Sequence, residues 1–339
     1  MVEVNVTTEQ LRYRVPGGIG TYIRGLEKGL GELSTNDVSV NWHAGRLPVS
    51  LLGRAWSAGL GKISNGNLVH ATSFRLPPTD LPLVVTVHDL LWKQFPDSFP
   101  SHGIKWHDSA LNKTLEKARK IVTPSEQSRI ALIEYGAKPE SVVAIPHGID
   151  HMEAPDTKSC DVLLKEQGVS PSFFLTVGTV EPRKNLSTVL QAFHQANDSL
   201  SSPMSLVVVG PKGWIEPIPN GENVKFVGDV TPAMLTALYQ KAKLFLYAPL
   251  GEGFGLPPLE AMSQNTPVIT SPVPSVSEGA QIIDPLNADE IAKAIYMLCT
   301  DDAARGALVD QGAKYAQKFR WKNSAQSHVQ VWKEVLKIG

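Results

Sequence analysis

The sequence predicts an α/β protein of two Rossmann-like, doubly wound domains facing each other across a cleft, and three observations carry that expectation. Short β-branched runs alternate with longer segments of helical period along the chain, as in parallel sheets joined by crossover helices. The pattern occurs twice, on either side of the polar stretch "DHMEAPDTKSCD", which reads as a linker near residues 150 to 162. The length of 339 residues is too great for one ordinary core and suits two domains of roughly 150 residues each.

Taken in order, the strands of the first half are "MVEVNV", "VSVNW", "NLVHA", "LVVTVHD", "KIVTPS" and "SVVAIPHG", with helices that include "GTYIRGLEKGL" and "SALNKTLEKA". The second half supplies "FFLTVG", "SLVVVG", "VKFVG", "LFLYAP" and "PVITS" as strands. Between them lie the helices "NLSTVLQAFHQA", "PAMLTALYQKA", "PLEAMSQ" and "ADEIAKAIYML". A last helix, "WKNSAQSHVQVWKEVLK", carries an apolar stripe through Val329, Trp332, Val335 and Leu336. The expected domains are therefore residues 1–152 and 153–320, with a closing helix over 321–339.

Composition narrows the function classes. Hydrophobic residues make up 42% and charged residues 19%, with no run of ~18 apolar residues, so no spanning helix is expected. The start "MVEVNVTTEQL" lacks the basic and apolar regions of a signal peptide. Cys160 and Cys299 have neither metal-type nor redox-type spacing, which points to a reducing compartment and a cytoplasmic location. A net charge of −1 carries no global basic signature for nucleic acid.

Doubly wound sheets bind ligands at the carboxyl ends of their strands. At one such end "LFLYAPLGEGFG" runs from a strand into a glycine loop, and Pro257 or Pro258 suits the first position of the next helix. Glu260 would then lie in that helix's first turn, either as a capping acid or as a carboxylate gripping the vicinal hydroxyls of a ribose. Glu252, upstream in the loop, is placed to accept hydrogen bonds from a second polyol. Gly253 and Gly255, on either side of Phe254, let backbone N–H groups approach a ligand closely. "VEPRKNL" puts Arg183 and Lys184 at the carboxyl edge of the same sheet. "PGGIGTYI" places Gly17, Gly18 and Gly20 before the first helix, but Ile23 and the intervening "TTEQLRYRVP" do not fit a dinucleotide fingerprint, which argues against a dehydrogenase.

His88 ends the strand "LVVTVH" and, with Asp89, would project toward the cleft. His70 is a weaker case of the same kind. His147 and His151 are separated by Gly148 and Asp150, so a shared metal is not expected. No Asp-x-Asp pair occurs, and metal-independent chemistry is the expectation. "LNKTLEKARK" reads as a basic amphipathic helix, either a solvated face or a contact with an anionic membrane face.

Glu252 and Glu260, with seven residues between them in "EGFGLPPLEAM", resemble the acid pair of the retaining glycosyltransferases of family 4, which have the two-domain GT-B fold. "VPGGIGTYI", "VTVHDL", "VTPSEQSR", "IPHGID" and "VGTVEPRKNL" fall in that family's order, so the resemblance spans nearly the whole chain. It implies that Glu260 binds the ribose and Glu252 the donor sugar, and that Arg183 and Lys184 neutralise the departing diphosphate. Thr179 stands where some relatives carry a further basic residue. The resemblance further implies that Gly18 and Gly20 close over the phosphates, that His88 contacts donor sugar or acceptor, and that backbone around Val227 to Val230 borders the base. It also implies that the last helix crosses back to the first domain.

"VHDLLWKQFPDSFP" is similar to mannosyltransferase-like members, which implies GDP-mannose as the donor substrate. UDP-glucose and UDP-N-acetylglucosamine are the competing donors. The partners implied are a sugar nucleotide and a glycan or lipid-linked acceptor, with peripheral contact at the inner membrane face; no separate cofactor is expected. Two other classes compete. A non-enzymatic nucleotide-sugar scaffold would not need Glu252, Glu260, Arg183, Lys184 and His88 together. A phosphorylase on the same fold would require a cofactor lysine or a phosphate-specific site, neither of which is found, and an epimerase would not need this acid spacing.

Overall fold

Apolar runs long enough to be buried on both faces become parallel strands, and the amphipathic segments between them become the crossovers. The structure, a computed structural model, describes residues 1–33, 37–45, 47–213 and 221–337. Residues 34–36, 46 and 214–220 of the expected domains, and 338–339 of the expected last helix, lie outside the described residues. Two units emerge: Met1–His151 with Phe319–Gly339, and Met152–Lys318.

The first unit contains β1 (Val2–Thr7), α1 (Gly17–Gly31), β2 (Val38–His43), α2 (Val49–Ser57), β3 (Leu68–Ala71), β4 (Leu83–Thr86), α3 (Leu91–Gln94), α4 (Ser101–Lys117), β5 (Lys120–Thr123), α5 (Glu126–Glu134) and β6 (Val142–Ala144). Its six strands form one parallel sheet in the order β2-β1-β3-β4-β5-β6. Val4 and Val6 of β1, Leu68 and Val69 of β3, and Val84 and Val85 of β4 are fully buried. The chain turns one way from β1 and the other way from β3, so the switch point lies between those two strands.

The second unit contains α6 (Thr157–Glu166), β7 (Phe173–Val177), α7 (Leu186–Asn197), β8 (Ser205–Val209), β9 (Val224–Gly228), α8 (Pro232–Lys241), β10 (Leu244–Tyr247), α9 (Leu256–Ser263), β11 (Val268–Thr270), β12 (Gln281–Ile282), α10 (Ala288–Thr300) and α11 (Asp302–Ala316). Its sheet runs β12-β11-β10-β7-β8-β9, again all parallel. Phe174, Phe193, Leu206, Leu246 and Ile295 pack into its core. Here the switch point lies between β7 and β10.

A final helix, α12 (Trp321–Val335), belongs to the first unit. Trp332 packs with Val4, Val6 and Val84 under the sheet, and Trp321 packs against Tyr22, Ile23 and Leu26 of α1. Two glycines one turn apart allow the close approach. A Cβ on Gly25 would stand 2.0 Å from the Trp321 ring, and one on Gly29 would stand 2.2 Å from the Trp321 carbonyl oxygen. Among the described residues no helix is long and apolar enough to cross a membrane.

Two local expectations are corrected. The polar linker near 150 to 162 already contains the start of α6, because the Asp156 side chain accepts the Ser159 N–H at 3.0 Å and caps it. The basic segment "LNKTLEKARK" is not one helix: α4 stops at Lys117, Ala118 is extended, and Lys120 opens β5.

Candidate active site

The loops after β7 and β10 leave the second sheet at its switch point, where doubly wound folds hold their ligands. Their backbones are tied together. The Leu250 N–H donates to the Arg183 carbonyl at 2.8 Å. Asn185, left-handed at φ 54°, donates from Nδ2 to Ala248 O at 3.1 Å and to Pro285 O at 2.7 Å. A 3-10 turn, Pro182–Lys184, thereby presents its two cations to the β10 loop.

Arg183 donates from Nη1 to Glu252 Oε1 at 2.7 Å and to the Gly251 carbonyl at 2.8 Å, and pairs through Nη2 with Glu181. Lys184 Nζ reaches the same Glu252 oxygen at 2.6 Å and the Tyr247 hydroxyl at 2.8 Å, and that hydroxyl donates to Glu252 at 2.9 Å. All four charged side chains are largely buried. Burial pushes the Glu252 carboxyl up, but the Lys184 and Arg183 charges and the bonds from Lys184 and Tyr247 outweigh it and hold it below the ordinary value. Burial raises the Tyr247 hydroxyl, as do the charge of Glu252 and its hydrogen bond, so Tyr247 stays protonated and donates. Two carboxylates and two cations thus form a neutral buried cluster. Glu181 and Tyr247, both central to it, were not singled out from the sequence; Glu181 lies inside "VEPRKNL", two residues from Arg183.

The next segment corrects the placement of Glu260. Helix α9 starts one residue before the prolines, with Gly255 as its N-cap at φ 98°, so Pro257 and Pro258 are its second and third residues. Glu260 is the fifth and lies in the second turn, not the first. That is too far along for a capping acid: its side chain is buried, and Oε2 accepts the Tyr239 hydroxyl at 3.0 Å. The glycine loop is pinned from behind, since the Ser275 N–H donates to Phe254 O at 2.9 Å and Ser275 Oγ to Gly255 O at 2.7 Å. Phe254 and Gly253 are buried, and Phe254 offers its side chain to the core. Val227 is half-buried near the end of β9, whose last residue, Gly228, accepts the Gly210 N–H at 2.9 Å.

In the first unit, β4 ends at Thr86, so His88 lies two residues beyond the strand and not at its end. It is half-buried, and Nε2 donates to the Thr72 carbonyl at 3.0 Å. Burial lowers its pKa, with the Thr72 bond and the Asp89 charge acting against that. His88 lines a cavity of about 310 Å3 together with Tyr13, Ile19, Trp92 and His107. Asp89 also lines it, but Oδ1 is engaged with the Leu91 N–H at 3.1 Å at the start of α3. The glycine-rich segment does not precede the first helix but forms its first turn. Gly18 is exposed with open space around it, whereas Gly20 is buried: its N–H donates to Pro16 O at 3.2 Å, and a Cβ would meet Pro16 at 2.3 Å. Gly18 therefore remains placed to meet a ligand, and Gly20 does not.

His70 is fully buried. The Trp332 indole donates to its Nδ1 at 3.2 Å, so Nε2 carries the proton and donates to Thr86 Oγ1 at 2.8 Å. His328 Nδ1 donates to the Ser324 carbonyl at 2.8 Å, so Nε2 accepts the Tyr22 hydroxyl at 2.9 Å; Thr86 then donates to Tyr22 at 2.9 Å. One directed chain of hydrogen bonds runs from α12 through β3, β4 and α1 back to α12. His147 stacks on Trp321 at 5.5 Å, and His151 accepts the Trp321 indole N–H at 3.2 Å. Among the described residues no group of three or more His, Cys, Asp or Glu is arranged to hold a metal.

Against known proteins, residues 165–317 match the family of glycosyl transferases group 1 and residues 61–153 match glycosyltransferase family 4. The chain is 29% identical over 281 residues to the O-antigen chain mannosyltransferase B of Escherichia coli, covering 78% of this chain and 74% of that protein. It is 27% identical over 236 residues to the O-antigen chain mannosyltransferase RfbU of Salmonella typhimurium, covering 66% of this chain and 62% of that protein. Its fold is similar to that of Anabaena Alr3699/HepE, solved in complex with UDP and glucose. The TM-score is 0.71 at 18% identity, covering 98% of this chain and 100% of that one. With two parallel α/β sheets and both family matches in order along it, the chain belongs to the family 4 glycosyltransferases of GT-B fold and is similar to their mannosyltransferase members.

Proposed function

We propose that this glycosyltransferase moves a mannosyl group from GDP-mannose to a hydroxyl of a glycan or glycolipid acceptor with retention of configuration. The observation that carries the reading is the cluster of Arg183, Lys184, Glu252 and Tyr247 at the switch point of the second sheet. In the free protein the carboxylates neutralise both cations. The donor diphosphate brings its own negative charge and replaces Glu252 as their partner, which frees Glu252 to accept hexose hydroxyls. Glu260, fixed by Tyr239, accepts the ribose hydroxyls. The mannosyl identity is supported by the activities of the relatives.

Chemistry follows from charge. As the bond from the anomeric carbon to the diphosphate oxygen breaks, negative charge grows on that oxygen, and Lys184 and Arg183 are fixed cations that stabilise it. The acceptor oxygen bonds to the same face of the anomeric carbon, and its proton passes to the departing diphosphate oxygen. His88, donating to Thr72 from Nε2, keeps Nδ1 as an acceptor for a sugar hydroxyl. The test is product analysis with GDP-mannose and mannose-terminated oligosaccharides. An α-linked product, read from its anomeric proton and carbon signals, is expected. A β-linked product would overturn retention, and transfer only from UDP-sugars would overturn the donor.

A further inference from the structure

The first unit carries another concavity, of about 810 Å3, bounded by α2, the β3–β4 connection and α4. Trp106, Ser109, Lys113 and Lys117 come from successive turns along one face of α4. Trp56 of α2 also lines the cavity, and Arg75 and Arg119 complete a set of four cations on its walls. Among the described residues none of these four forms an ion pair. The carboxylate on the wall, Asp80, is paired with Lys62. Glu9, whose charge Arg75 feels from beyond ion-pair distance, is buried and accepts the Ser73 hydroxyl at 2.8 Å.

Arg75 connects this cavity to the one that His88 lines. Phe74, Arg75 and Trp106 border both, and the guanidinium lies 5.6 Å from the Trp106 ring centre and 5.7 Å from that of Tyr13. Four cations without carboxylate partners, set around a concavity with indole walls, suit a compact anion joined to an apolar segment. Lys113 and Lys117, both exposed, share their helix face with Trp106 and line the concavity, so their charges stand on its rim, open to solvent.

We propose that this cavity seats a phosphate ester of the acceptor, with Arg75, Lys113, Lys117 and Arg119 holding the phosphate or diphosphate and Trp56 and Trp106 flanking the segment attached to it. The inference rests on the reading that the first unit takes the acceptor. The phosphate ester is held and not cleaved, and the hydroxyl to be glycosylated extends past Arg75 toward His88.

Calorimetric titration of the full chain with farnesyl diphosphate, mannose 1-phosphate and farnesol tests this, comparing wild type with Lys113→Ala/Lys117→Ala/Arg119→Ala. Farnesyl diphosphate should bind wild type roughly tenfold or more tighter than the triple variant, as expected for the loss of charge-assisted contacts, and farnesol should not bind. Stronger binding of farnesyl diphosphate than of mannose 1-phosphate assigns a lipid-linked acceptor; equal binding assigns a soluble phosphate ester. Ser109→Glu, which adds a carboxylate to the wall, should weaken the same binding. Equal affinity in wild type and both variants, or no binding of either phosphate probe, would overturn the proposal. Nucleotide binding is measured on the same proteins. If it persists while the phosphate probes fail, this inference alone falls; if it is absent while cation-dependent phosphate binding remains, the donor reading alone falls.

Discussion

Glu252 is the residue on which the proposed donor site turns, because one carboxylate oxygen accepts from Arg183, Lys184 and Tyr247 together. Glu252→Gln removes the charge that holds both cations in place before the donor arrives. Turnover should fall by about 10²- to 10³-fold, the range for losing one preorganised electrostatic group, as measured by initial rates at saturating donor. A fall of less than about threefold, far below that range, would remove Glu252 from the site. Glu260→Gln should instead raise the donor KM with a smaller change in kcat, since its buried carboxylate, which accepts the Tyr239 hydroxyl, is assigned to the ribose and not to the departing diphosphate. An unchanged KM would contradict the ribose role. Much of this was legible in the sequence, because glycines and prolines punctuate the β10 loop and "VEPRKNL" follows an unmistakable strand. The tyrosines were not: Tyr247 and Tyr239 sit in apolar runs, and only the fold aims their hydroxyls at the two glutamates.

At the scale of elements, α12 is held by polar groups as well as by its apolar stripe. Burial lowers His70 and His147 well below the ordinary value and His328 to about 4, with neighbouring histidine charges adding to the effect. Neutral imidazole is the form the network requires, since a proton on His70 Nδ1 would face the Trp332 indole N–H. In the unfolded chain these histidines titrate near ~6.5. The unfolded state therefore binds more protons between that value and about 4, and stability falls as pH drops through this window. Each such histidine contributes a slope of roughly 1.4 kcal/mol per pH unit. Urea midpoints measured from about pH 8 to pH 4 should show the decline beginning near pH ~6.5, and His328→Gln should reduce it. A flat profile would show that the histidines are not held neutral.

The packing of α1 on α12 makes a separate prediction. Gly29→Ala should destabilise the protein by roughly 1–3 kcal/mol or more, as overpacking does, because its Cβ would strike the Trp321 backbone. An unchanged melting temperature would contradict that close approach. These contacts were hidden in the sequence because they join residues about 300 positions apart. Helix α6 was hidden for a different reason: its cap, Asp156, lies in a polar stretch with a single fully buried side chain, Cys160.

For the whole molecule, most strands of the two sheets were legible because the central ones are buried on both faces and read as unbroken apolar runs, whereas β12, a two-residue, partly exposed edge strand, was not expected. The switch points were not legible, since strand order depends on pairing over long separations. The closing helix contributes Trp321 and Trp332 to the interior of the first unit, both fully buried. Deleting residues 320–339 should leave that unit without part of its core and yield aggregated protein, measured as the soluble fraction on expression. Soluble, active protein would contradict the assignment of α12 to that core.

The central claim is that the cluster at the second switch point is a donor site selective for a guanine nucleotide sugar. Thermal unfolding with GDP-mannose, UDP-glucose and UDP-N-acetylglucosamine, in wild type and Lys184→Ala, tests it most directly. A ligand at ~100 times its dissociation constant should stabilise the fold by roughly 2.7 kcal/mol. GDP-mannose should give that shift in wild type and a much smaller one in Lys184→Ala, with little from the UDP-sugars. A shift with no sugar nucleotide, or one that Lys184→Ala leaves unchanged, would contradict the account.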